Sequence, residues 1–149
     1  MSDSSSFVSD FSTGDFTSPL QVEFYNYLQK IKGERSMASR SDINPADIVK
    51  ILPMIIIFDK VDNDYVVRLM GTRCADILGE LTGVKLNSTA PGQEAIERFD
   101  WCVNNKKPYY HIKPLDKFNK KHLNSSAIVM PLSDNDNDVN KIILAHHFY

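Results

Sequence analysis

The chain is poor in the features that make several functions easy to read. Among its 149 residues are two cysteines, Cys74 and Cys102, far apart in sequence. That excludes a disulfide-stapled scaffold and a thiolate metal knuckle, and it suits a reducing compartment. The four histidines, His111, His122, His146 and His147, lack metal-ligand spacing, and adjacent His146 and His147 project to opposite faces if their segment is a strand. Charge of one sign is not in excess: a net charge of -2 gives the whole chain no drive toward nucleic acid or acidic membrane. No apolar run approaches a membrane span, and the start MSDSSSFVSD lacks a basic region followed by an apolar stretch. The expected location is therefore cytoplasmic. The acceptor patterns at Asn87-Ser88-Thr89 and Asn124-Ser125-Ser126 are then chance matches. Asp134, Asp136 and Asp138 imitate the start of a calcium loop, but Val139 stands where glycine is required and Ala145 where glutamate is required. No phosphate-loop pattern, nucleophile–base pair or carboxylate dyad is evident, so an enzyme is disfavoured.

What is present is an ordinary globular composition, 42% hydrophobic and 24% charged, which supports one domain with a buried core. Residues 1–17 are rich in Ser, Asp and Thr and are expected to be a flexible tail. Residues 18–149 are expected to form a single domain. Ser18 as N-cap, Pro19 at the first helical position and Gln21 as reciprocal acceptor of a capping box mark a helix that Gly33 ends. Leu20, Phe24, Leu28 and Ile31 form its apolar stripe, which covers either its own domain or the same helix of a second copy. A short helix fits 45–51, where Asp42 or Asn44 can cap and Pro53 stops continuation.

Strands follow at Met54–Phe58 and Tyr65–Met70 around the turn Asp62-Asn63-Asp64. Short helical turns span 72–90, where Gly71, Gly79 and Gly83 suit left-handed backbone. One long helix spans Pro91–Asn105, with Ala95, Ile96, Phe99, Cys102 and Val103 on its apolar face. Three strands fit 108–115, 123–132 and 139–147. Tyr109 and His111 share one strand face, Tyr110 and Ile112 the other. The runs Ile55-Ile56-Ile57, Ala127–Met130 and Ile142–Ala145 do not alternate with polar residues, so both faces of the sheet are expected to be covered.

Arg68 stands out in an apolar strand: it is either paired with a carboxylate such as Asp42, Asp59 or Glu80, or it anchors an anionic ligand. The segment from Lys106 through Lys121 interleaves lysines with Tyr109, Tyr110 and His111. It reads either as a solvated edge or as a surface for an anion.

Arg40, Asp42-Ile43-Asn44-Pro45, Leu52-Pro53, Arg68-Leu69-Met70-Gly71-Thr72, Gly79 and Leu81-Thr82-Gly83, in that order, resemble the bacterial PAS_5-type PAS domains over roughly residues 20–147. The resemblance implies an α+β, PAS-like fold: a five-stranded antiparallel sheet with helices on one face and an N-terminal amphipathic helix. It also implies a sensory or signalling role. A ligand would lie between the long helix and the sheet, touching Arg68, Phe99, Cys102, Val103, Tyr109 and His111. Haem is disfavoured because 91–105 holds no histidine. Flavin photochemistry is disfavoured because Cys74 sits in Thr72-Arg73-Cys74-Ala75-Asp76 rather than the reactive Asn-Cys-Arg-Phe-Leu context. The family often carries a charged pair before the Pro-Leu of its fourth strand, and Pro131-Leu132 here follows apolar residues. With no output domain recognised, the chain is expected to act as a homodimer, through a signalling partner, or by taking up a small-molecule or anionic ligand. The alternative is a ligand-free adaptor with a filled core. Neither nucleic acid nor membrane is expected as a partner.

Overall fold

The structure is a computed structural model that describes residues 6–115 and 120–149. Helix α1 (Pro19–Lys32) precedes strands β2 (Ile55–Val61) and β3 (Asp64–Met70). Helices α2 (Thr72–Leu78) and α3 (Ala90–Asn105) follow, then β4 (Tyr109–Leu115), β5 (Lys120–Leu132) and β6 (Lys141–Phe148). A short first strand, β1 (Ser6–Val8), lies ahead of α1. All pairs are antiparallel, in the order β1-β4-β5-β6-β2-β3. The sheet has six strands rather than five because β1 adds to the free edge of β4, with Phe7 opposite His111.

The segment expected as a tail thus differs from expectation from Ser6 onward. Phe7 stacks on Tyr109 at 4.7 Å and meets Trp101 edge-on at 5.2 Å. Phe16 packs against Tyr110 and Tyr25. Three aromatic side chains spaced along a polar segment supply the burial that its composition alone does not suggest. Residues 1–5 lie outside the described part.

Both faces of the sheet are covered, as the missing alternation requires. Successive residues of one strand enter different cores. Ile55 and Ile57 pack outward with Phe24 and Leu28 of α1, and Ile56 packs inward with Phe99 and Cys102 of α3. Helix α1 therefore lies on its own sheet. Ser18 caps it by accepting from the Leu20 amide at 3.2 Å. Gln21 does not close a capping box. Its side chain is buried and donates to the carbonyls of Ser126 at 3.3 Å and Ala145 at 3.1 Å, tying the helix to two strands.

The loops are fixed by side-chain acceptors. Asn44 accepts from the Ala46 amide, and Asp42 accepts from the Ser39 amide and from Arg35. Asp136 accepts from the Ser36 and Met37 amides, and Asp134 from the Ser39 hydroxyl. The Asp134–Asp138 hairpin therefore clamps the loop ahead of the 40–54 turns. Gly79 and Gly83 have the expected positive φ, 91° and 87°. Gly71 does not, at φ -65°. It is required for another reason: a Cβ there would lie 2.3 Å from the Leu52 carbonyl oxygen.

Candidate functional site

The inner face holds a cavity of about 210 Å³ between α3, the loops before it and the sheet. Strand register sets its wall. Tyr109, His111, Lys113 and Leu115 all line it, two apart along β4, so they share one face. Opposite them on β5 stand Val129, Ala127 and Ser125. On β6, Leu144 faces Val129 and His146 faces Ala127, and Ile56 of β2 continues the Leu144 row. Rows across the sheet therefore change from apolar (Tyr109, Val129, Leu144, Ile56) to polar (Lys113 with Ser125; His111 with His146).

Helix α3 supplies the facing wall through Gly92, Ala95 and Phe99, one stripe at helical spacing, with Arg98 beside it. Thr89 caps the helix by accepting from the Gly92 amide at 2.9 Å. A Cβ on Gly92 would lie 2.2 Å from the Leu86 carbonyl oxygen, so glycine sets how tightly the 86–88 turn approaches the helix.

The polar end has distinct electrostatics. Ser125 Oγ lies 2.8 Å from His146 Nδ1. Burial, and then the Lys113 ammonium, hold the His146 imidazole well below its usual value, at about 3, so it is neutral at neutral pH. At the apolar end, burial raises the Tyr109 phenol, and the Arg98 guanidinium opposes that rise. The lining holds Arg98 and Lys113 and, among the described residues, no carboxylate.

Residues 16–143 match the PAS_5 family, described as a PAS domain. The chain belongs to this family. A solved structure described as "Structure of an RNA-binding Light-Oxygen-Voltage Receptor" is similar at a TM-score of 0.49 and 10% sequence identity, over 98% of this chain and 38% of that chain. The chain thus spans well under half the length of that receptor. No curated protein matches the chain.

Of the residues that sequence reasoning placed at the ligand site of this PAS domain, Phe99, Tyr109 and His111 line the cavity. Cys102 is fully buried beside it in the inner core, where burial raises its thiol pKa and leaves it an inert packing group. Val103 packs against the same core. Arg68 is exposed. The reason is a register shift between β2 and β3: Ile57 faces Leu69 but Phe58 faces Val67, so Arg68 is the extra residue. The bulge lets Val67 and Met70 both reach the cavity although they are three apart. The carboxylates considered for Arg68 are engaged elsewhere, Asp42 with Arg35, Asp59 with Lys141 and Glu80 with the Thr82 amide and hydroxyl.

Sequence reasoning missed Arg98, Ser125 and His146, and placed Lys113 in a candidate anion-binding surface rather than on the cavity wall. Lys113 was within reach, because alternation from His111 puts it on the same face. His146 needed the strand register as well as its expected separation from His147. His147 does turn to the outer face, where its Nδ1 lies 2.7 Å from the Thr17 hydroxyl.

Ser125 and His146 have the spacing of a nucleophile and its base, but an imidazole at about 3 is too weak to take a serine proton at neutral pH. Among the described residues no cluster of three or more His, Cys, Asp or Glu could hold a metal ion, and no helix is long and apolar enough to cross a membrane.

Proposed function

We propose that this PAS domain is a non-catalytic sensory module that takes a small molecule into the cavity between α3 and the sheet. Residues 18–149 act as one cytoplasmic domain, and occupancy is passed on by dimerisation or by binding a signalling partner. The observation that carries this reading is the cavity itself. One face of the sheet is covered by α1 and the 40–54 turns, whereas the other retains, under α3, about 210 Å³ lined by an apolar wall with converging polar groups. Family membership points the same way, since PAS domains are mostly sensory modules.

A route for the signal lies beside the cavity. Tyr109 lines it on one side and carries Phe7 of β1 at 4.7 Å on the other. A ligand that shifts Tyr109 changes how well the three-residue β1 is held against Trp101.

A second reading, a ligand-free adaptor, draws on an apolar groove of about 380 Å³ on the outer face beside exposed Val49 and Leu69. Native mass spectrometry of the purified protein, under gentle and then denaturing conditions, separates the two. A released small-molecule mass is the result expected here. A bare protein mass, with a clean dimer or partner complex, would favour the adaptor.

A further inference from the structure

We infer that the apolar groove on the outer face is the docking site for an acidic amphipathic helix of a partner protein. The inference rests on the reading of the chain as a module that acts through a signalling partner, and it names the surface and the chemistry of that partner.

The groove lies beyond α1, no residue of which lines it. Its floor is Ile55 and Ile57 of β2 with Ile143 of β6, which stands opposite Ile57. One wall is the 40–54 turns, which present Val49, and the other is β3, which presents Leu69. Val49 is 63% exposed and Leu69 is 39% exposed, so a large apolar side chain stands in water on each side of an apolar floor. Grouped apolar exposure of this kind marks an interaction surface, whereas single exposed apolar residues do not.

The form of the occupant follows from the sheet edge. Strand β3 is the last of the sheet, but its edge is already in use at Val67. The Val67 amide donates to the Val84 carbonyl at 3.0 Å, and the Gly83 amide donates to the Val67 carbonyl at 2.7 Å. That closes the edge to an added strand. A helix that lays an apolar stripe between two walls needs no edge.

The sign of the partner follows from charge. The chain carries more Asp and Glu than Lys and Arg, 19 against 17, yet cations gather around this groove. Arg40 is the charged residue of its lining. Lys50 follows Val49 on one wall, Arg68 precedes Leu69 on the other, and Arg73 follows Thr72, which also lines the groove. Lys50, Arg68 and Arg73 are exposed and make no ion pair among the described residues. Of the carboxylates on the turns, Asp42 is paired with Arg35, and Asp47 accepts from the Tyr27 hydroxyl at 3.1 Å. Asp47 alone opposes the cations. A second copy is disfavoured, because a two-fold interface would set these like charges against each other. An acidic helix meets them with opposite charge. Its apolar stripe supplies the buried area, and the cations set association rate and orientation.

The experiment is fluorescence anisotropy of the full chain with labelled amphipathic peptides. The first has leucine on one helical face and glutamate on the other. The second carries lysine for every glutamate, and the third serine for every leucine. The variants are Leu69→Asp and the double change Lys50→Glu with Arg68→Glu, all at exposed positions, and thermal melts confirm that they fold. The leucine–glutamate peptide should bind at least about tenfold more tightly than either other peptide, and more weakly as salt rises. Leu69→Asp should weaken it about tenfold or more, and the double variant should turn the preference toward the lysine peptide. No binding of the leucine–glutamate peptide, equal binding of the lysine peptide, or affinity that survives Leu69→Asp overturns the inference. So does a dimer in sedimentation velocity that Leu69→Asp splits, which would put a second copy in the groove. Binding to phosphatidylglycerol vesicles that the double variant abolishes would put a membrane there and overturns it too. Native mass spectrometry of the same Leu69→Asp protein keeps the two readings apart: a released small molecule leaves the cavity reading standing whatever the peptides do.

Discussion

The two faces of the sheet use the same chemistry for opposite ends. On the outer face, Ser126 and His147 meet Thr17 and Gln21, the residues that open α1. Thr17 Oγ1 lies 2.6 Å from Ser126 Oγ and 2.7 Å from His147 Nδ1, and its amide donates to the Tyr110 hydroxyl at 3.1 Å. On the inner face the neighbouring residues, Ser125 and His146, pair with each other beside a cavity. The serines and histidines are adjacent in sequence, and one step along each strand sends each to the other side. Outside, helix α1 satisfies the polar groups and fixes its own register. A fully satisfied buried network specifies structure. Inside, the same groups face a cavity between the sheet and α3. What separates a buried network from a cavity wall here is what covers it, not which residues compose it.

This comparison can be broken from the outer side first. Phe24→Ala removes a ring that is 0% exposed from the outer core and should cost about 3–5 kcal/mol in urea unfolding. Binding per folded molecule should be unchanged. Gln21→Ala deletes the amide that serves the Ser126 and Ala145 carbonyls and should cost ~1–3 kcal/mol by the same measurement. A cost near zero would show that the outer network is not structural.

The third test is pH. Folded His146 stays neutral down to about pH 3, whereas the unfolded chain takes up a proton near the ordinary 6.5. The unfolded state therefore binds more protons in between. Stability is complete above pH 6.5 and falls as pH drops from 6.5 toward 3, by up to ~1.4 kcal/mol per pH unit from this group. His147, which burial also holds below its usual value, adds in the same direction from the outer face. Chemical denaturation across this range should show a slope that His146→Gln flattens more than His147→Gln does.

The smallest effect on stability should come from Ala127→Leu. Ala127 sits between His111 and His146 on the cavity wall. Three added carbons enter existing space, so thermal melts should shift by the equivalent of less than ~1 kcal/mol, in either direction. Ligand uptake should nevertheless be lost.

Much of this division is legible from residues alone. Unbroken apolar runs at Ile55–Ile57 and Ile142–Ala145 announce a sheet covered on both faces, and the spacing of Leu20, Phe24 and Leu28 supplies one cover. Alternation separates Tyr109 and His111 from Tyr110 and Ile112 and, with them, the inner face from the outer. The limits are equally physical. Arg68 misleads because a bulge, which has no local sequence mark, turns it outward. Gln21 reads as a cap because Ser18 and Pro19 precede it, and only the sheet beneath shows that its amide has better partners. Ser125 and His146 lie 21 residues apart and meet through β5–β6 register, which periodicity cannot supply. The order of residues 6–17 is missed because Phe7, Phe11 and Phe16 find their partners across the fold rather than along the chain.

The central claim is that the inner face takes up a ligand while the outer face is structural. Its most direct test is an amide-resolved NMR titration of the chain with the small molecule released from it in native mass spectrometry. Shifts should concentrate at 92–99, 109–115, 125–129 and 144–146, with Thr17, Gln21 and Phe24 silent. Shifts centred on α1 and the 40–54 turns, or no small molecule released and no shift, would contradict it.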